Sequence, residues 1–274
     1  MTKWTLWPGP SWCNRMKLRA MTSMLAVSLA SVSLLSFTTM ASAQLAVDLE
    51  LVLAVDASGS VDDEEFRLQL NGIAASFRDP KVVEAISRGF HGQIAVALLV
   101  WSDAHVQKDR GKWYVIRSAE DAEAFALLTQ YHPRRVPNGA TGIGAGIGTA
   151  IDMMRYNGLN GSRQVVDVSG DGVESPLDTS LTIGATLLKD AHRLGNKLGI
   201  IVNGLAITND VPNLDVWYEN NVRLGPGSFV MRAETSPDTD RAKRAKLLRE
   251  IEQTSPVPLL RQPEGSVQSG ASNS

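Results

Sequence analysis

Two kinds of hydrophobic pattern alternate along this chain. Residues 49–56 (LELVLAVD), 93–101 (QIAVALLVW), 164–169 (QVVDVS) and 199–207 (GIIVNGLAI) are short, nearly unbroken apolar runs. Runs of that length predict strands buried on both faces, as in a parallel sheet. Shorter apolar segments at 113–116 and 228–232 predict an edge strand and a last strand. Between them, apolar residues recur every three or four positions, the helical period. Residues 62–77 carry Phe66, Leu70, Ile73 and Phe77 on one face, and acids crowd the first turn. Ser118-Ala119-Glu120-Asp121 is a capping box that opens a helix to about Gln130. Further helices are predicted over 141–156, which is glycine-rich, over 181–194, and over the charged segment 238–253. Strands and helices alternate throughout, which predicts an α/β fold: a mostly parallel sheet with helices on both faces. No internal repeat interrupts it.

Composition adjusts this picture mainly at the ends. The 274 residues, 43% hydrophobic and 20% charged, suit one ordinary globular domain. Residues 1–43 hold Lys3, Arg15, Lys17 and Arg19 and no acid, so the remainder has 23 basic and 29 acidic side chains and a charge of −6. That balance does not predict nucleic-acid binding. Lys17 and Arg19 precede an uncharged apolar run from Met24 to Phe37, and Ala41-Ser42-Ala43 is a small-residue cleavage site. This pattern predicts a signal peptide over residues 1–43, cut before Gln44, and an exported protein, periplasmic or secreted. A start at Met16 would give that signal an ordinary length, and an uncleaved N-terminal anchor is the alternative. The one cysteine, Cys13, lies upstream of the cut, so the mature chain is expected to have no disulfide and no thiolate metal site. No later apolar run approaches the length of a membrane span. Residues 44–262 are expected to form a single domain, and the Ser/Gly-rich tail 263–274 to be disordered.

The chemistry gathers where strands end. Asp56-Ala57-Ser58-Gly59-Ser60 follows the first strand, Asn138-Gly139-Ala140-Thr141-Gly142 leads into the glycine-rich helix, and Ser169-Gly170-Asp171-Gly172 follows the QVVDVS strand. Open α/β sheets bind ligands beyond the carboxyl ends of their strands, so all three loops are expected to converge. Asp56, Ser58, Ser60, Thr141 and Asp171 offer only oxygen, the donor that magnesium prefers. Two carboxylates balance a divalent charge, and Gly59 lets the turn fold closely.

These residues resemble the metal-ion-dependent adhesion site of von Willebrand factor A domains, in the family's order, over about residues 47–255. Within that superfamily the chain is most similar to an exported bacterial group, DUF1194. The resemblance implies a Rossmann-like sheet of about six strands with one antiparallel edge strand. It also implies a magnesium or manganese ion held by Asp56, Ser58, Ser60, Thr141 and Asp171, and a protein partner presenting an Asp or Glu to that ion. One departure is Ser169-Gly170-Asp171, where many members have a threonine before Asp-Gly.

Each residue also has a plainer reading. Ser60-Val61-Asp62-Asp63 reads as a capping box, Thr141 as a helix N-cap, and Asp171-Gly172 as a turn. The 142–148 glycine run lacks the spacing of a dinucleotide motif or a P-loop, and predicts close helix-to-sheet packing. His91, His105, His132 and His192 form no zinc pattern and read as surface or loop residues. Arg134-Arg135 reads as a rim for an acidic partner or as solvated charge. Specificity is expected from the loops at 104–112, 131–140 and 208–221. The leading function is therefore a metal-dependent protein-binding module without catalysis. The alternatives are a metal-assisted phosphohydrolase using Asp56 as nucleophile, and a scaffold whose metal clamps loops.

Overall fold

A computed structural model describes residues 44–176, 186–234 and 236–253. Residues 1–43, expected to be a signal peptide, the start of the helix expected at 181–194 and the tail 263–274 lie outside the described residues. In chain order the elements are β1 (Leu45–Val47), β2 (Leu49–Asp56), α1 (Asp63–Phe77), α2 (Pro80–Ser87), β3 (Ile94–Trp101), β4 (Asp109–Ile116) and α3 (Ala119–Gln130). Then follow α4 (Ile143–Arg155), β5 (Leu159–Gly161), β6 (Gln164–Gly170), α5 (Leu188–Leu198), β7 (Ile201–Ile207), α6 (Leu214–Asn221), β8 (Val230–Ala233) and α7 (Ser236–Glu252).

The unbroken apolar runs lie at the centre because both their faces are covered. In β2, Leu49, Leu51, Leu53 and Val55 point into one core with α1 and α3, while Val52 and Ala54 point into a second core with α4, α5 and α6. In β3, Ile94, Val96, Leu98 and Val100 face the first core, while Leu99 and Trp101 face the second. The main sheet runs β4-β3-β2-β6-β7-β8. All neighbours are parallel except β3–β4, so β4 is the antiparallel edge strand. This is the six-stranded α/β architecture expected. A small parallel pair, β1–β5, was not expected.

Other differences have local causes. The edge strand begins at Asp109 rather than Trp113, because its charged first half lies on a half-exposed edge. Helix α2 was missed, although Asp79 caps it and Pro80 stands in its first turn. Helix α5 ends at Gly199, four residues beyond Gly195 and later than expected, in a left-handed C-cap. Helix α4 begins at Ile143 with Gly142 as N-cap, so Thr141 stays in the loop. Its glycines do permit close packing: a side chain on Gly146 would begin 3.0 Å from the Trp101 ring, and one on Gly144 would begin 2.3 Å from Leu188 N.

Helix α7 covers its core with buried charge. Lys246 and Glu250 are wholly buried and 3.0 Å apart, Lys246 also pairs with Asp167, and Asn203 donates to Glu250 at 3.0 Å. Lys243, also buried, donates to the Gln69 carbonyl at 3.0 Å. Burial lowers the Lys243 pKa to about 8 and raises that of Glu250 to about 7.

Candidate functional site

Strand β2 is central, with β3 on one side and β6 on the other. The chain leaves β2 toward β3 and later returns to β6, so the direction of winding changes between β2 and β6. A crevice opens beyond the strand ends at such a point. Asp56 ends β2, and Asp171 follows β6 directly.

The three loops are stitched together mainly by main-chain hydrogen bonds. Gly59 N donates to Gly139 O at 2.8 Å, Gly142 N to Ser102 O at 3.0 Å, and Ser175 N to Thr141 O at 2.9 Å. Gly139 is needed because a side chain there would begin 2.7 Å from the Asp103 Cβ. The result brings all five sequence-selected residues into one network. Asp56 Oδ1 accepts from Ser58 N at 2.7 Å. Ser58 Oγ lies 3.3 Å from Ser60 Oγ and accepts from Thr141 Oγ1 at 3.4 Å. Ser60 Oγ donates to Asp171 Oδ1 at 2.7 Å. Asp56 and Ser58 are wholly buried, Asp171 nearly so, while Ser60 is exposed and Thr141 half-buried. The cluster therefore opens to solvent on its hydroxyl side.

The electrostatics are those of carboxylates held away from water. Burial, joined by the Asp171 charge, raises the Asp56 pKa to about 7 against the opposing hydrogen bonds from Ser58. Burial likewise raises the pKa of Asp171. Asp56 Oδ2 is buried and has no hydrogen-bond partner. Among the described residues no three His, Cys, Asp or Glu side chains cluster, so any ion here depends on hydroxyl ligands to complete its set.

Several neighbours were misread or missed. The capping box of α1 is Asp62 with Glu65, not Ser60 with Asp63, which frees the Ser60 hydroxyl to face Asp171. Arg134 is not a rim residue. Its guanidinium donates to Ala57 O at 3.1 Å, Val61 O at 2.9 Å, Asn138 Oδ1 and Asp63, and so pins the 57–61 turn. Glu174 was not selected; its Oε2 accepts from Gly144 N at 3.0 Å and occupies the N-terminus of α4. Gln69 was not selected either; its amide donates to Asp56 O at 3.2 Å. No local pattern marks either residue, because each acts across loops distant in sequence. Of the expected specificity loops, 109–112 belongs to β4 and 214–221 is α6. His132 lies in a loop, as expected, and its ring pairs with Asp109 at 2.9 Å.

The sequence model of the family described as "Protein of unknown function (DUF1194)" matches residues 46–255. The chain belongs to the DUF1194 family. No curated protein matches the sequence. Among solved structures, this DUF1194 chain is similar to the pilus adhesin SpaC from Lactobacillus rhamnosus GG, at 13% identity and TM-score 0.53, over 75% of this chain and 31% of that one. It is similar to the PilB minor pilin from Streptococcus sanguinis, at 11% identity and TM-score 0.52, over 76% of this chain and 62% of that one. The vWF domain of the type V pili tip protein Mfa5 from Porphyromonas gingivalis aligns at 10% identity and TM-score 0.46, over 73% and 95% of the two chains. At these identities the likeness is one of fold. The DUF1194 chain spans under two thirds of SpaC and of PilB. No helix of its described residues is long and apolar enough to cross a membrane.

Proposed function

We propose that this protein is an exported binding module that holds a divalent ion, magnesium or manganese, on Asp56, Ser58, Ser60, Thr141 and Asp171, and through it binds a protein partner. The observation that carries the reading is Asp56. Its carboxylate is wholly buried, one oxygen has no partner, and the groups around it are a second carboxylate and three hydroxyls. A buried carboxylate is costly unless a cation or donors compensate it. An all-oxygen set carrying two negative charges fits a hard divalent ion. Bound there, the ion would supply a positive centre for an Asp or Glu of the partner.

The protein's own residues would do the rest. Asp56 and Asp171 would supply the charge, and Ser60 and Thr141, on the open side, would face the partner. Arg134 holds the 57–61 turn in place, and Glu174 occupies the N-terminus of α4. Protein partners agree with the names of two structures sharing the fold, a pilus adhesin and a minor pilin. Export is supported by Lys17 and Arg19 ahead of the apolar run from Met24 to Phe37 and by the Ala41-Ser42-Ala43 site after it.

Thermal unfolding tests the metal. Millimolar magnesium or manganese is expected to raise the Tm of the wild type and to leave Asp56→Ala unmoved. An unchanged wild-type Tm would sink the proposal. Pull-downs from envelope extracts with both proteins, with and without magnesium, test the partner. A protein captured equally by both would refute the ion as the bridge.

A further inference from the structure

Tyr218 is the wholly buried aromatic residue of α6, and its position is unusual for a packing residue. Its ring lies across two strands. Cδ1 is 2.8 Å from where a side chain on Gly204 of β7 would begin, and Oη is 2.7 Å from where one on Gly170 of β6 would begin. Strand β7 adjoins β6, and β6 adjoins β2. The phenol thus passes over two glycines toward the end of β2. That same point at Gly170 is 2.8 Å from Asp56 Oδ2. Tyr218 Oη and Asp56 Oδ2 are both buried without a hydrogen-bond partner. A phenylalanine would fill the glycine-lined groove equally well, and it would spare the protein a buried, unpaired hydroxyl. Burial and the nearby carboxylates of Asp56, Asp171 and Glu174 hold the phenol pKa well above its usual value, so the hydroxyl keeps its proton.

We propose that Tyr218 is a positioning residue of the metal site: with the ion bound, its hydroxyl donates to Asp56 Oδ2, the unpartnered oxygen it approaches over Gly170. Ser58 N already holds Oδ1, so both oxygens of Asp56 are then fixed. The bond also ties α6 to the site, and α6 becomes more ordered when the ion binds. The inference rests on the metal reading above.

The test compares full-length wild type with Tyr218→Phe. Manganese affinity is measured by calorimetry, metal-free stability by thermal unfolding, and α6 order by amide hydrogen exchange. Tyr218→Phe is expected to keep or raise the metal-free Tm, and to bind manganese about tenfold more weakly, as loss of one hydrogen bond to a charged group implies. In the wild type, manganese is expected to slow exchange across 214–221, and in the variant to leave it unchanged. A variant that binds manganese as tightly as the wild type overturns the role of Tyr218 and leaves the metal site standing. A wild type that binds no manganese overturns both. Should the variant fail to fold, 3-fluorotyrosine placed at 218 keeps the shape. Its fluorine resonance is expected to shift with saturating magnesium, and an unmoved resonance refutes the proposal.

Discussion

Replacing Asp56 by asparagine should stabilise the metal-free protein at neutral pH and above. Asparagine keeps an oxygen to accept from Ser58 N, as Asp56 Oδ1 does at 2.7 Å, and places an amide where Oδ2 has no partner. The sign follows from the raised pKa. Between 3.8 and about 7 the folded state holds the Asp56 proton more tightly than the unfolded chain does. Stability therefore falls as pH rises through that window, and above about 7 the full penalty applies. A shift of that size, at about 1.4 kcal/mol per unit, sets an upper limit of ~4 kcal/mol on the penalty. Urea unfolding in EDTA at pH 5, 6, 7 and 8 measures it. The variant should gain on the wild type steadily up to pH 7 and hold that lead at pH 8. On the proposed metal site, magnesium would work in the opposite direction: at a hundred times its Kd it would return ~2.7 kcal/mol to the wild type alone. An asparagine variant less stable than the wild type in EDTA at pH 8 would show that Asp56 is not a strained buried charge.

Three further outcomes are expected. Gly170→Ala places its new carbon within 2.8 Å of both Tyr218 Oη and Asp56 Oδ2, and should cost about 1–3 kcal/mol in urea unfolding. Arg134→Ala removes the forked donor that holds the 57–61 turn; it should cost ~2–3 kcal/mol and speed amide exchange at Gly59 and Val61, and lysine, which lacks the planar fork, should not restore it. Lys246→Met leaves the buried Glu250 and Asp167 without their cation and should cost about 3–5 kcal/mol at pH 8, with part of the loss recovered at pH 5, where Glu250 is protonated.

What the sequence disclosed depended on how local each determinant was. Strands β2, β3, β6 and β7 were legible because burial on both faces removes polar alternation, and the order of strands and helices then implied the parallel sheet. Asp56, Ser58 and Ser60 were singled out by spacing, by their place after a strand and by the family resemblance, and the structure brings them together with Thr141 and Asp171. Helix α6 was not legible, because it is only eight residues long and starts beyond Asn213, a residue in the left-handed region. The charged segment 238–253 was rightly read as helical, but nothing local revealed that Lys243, Lys246 and Glu250 point inward. Arg134 and Glu174 were out of reach for the same reason: each acts on a segment at least thirty residues away.

The stitching of the three loops has a consequence for what can vary on this face. Peptide groups and glycines fix the rim, with Asp103, Lys108, Arg134 and Ser175 as side-chain anchors. Exposed side chains such as His105, Gln107 and Arg135 hold little of the framework. They can be exchanged for others of different size or charge without redrawing the crevice. Under the proposed function, the same chassis can thus be recoded for new partners, with the oxygens of the proposed ion site left untouched.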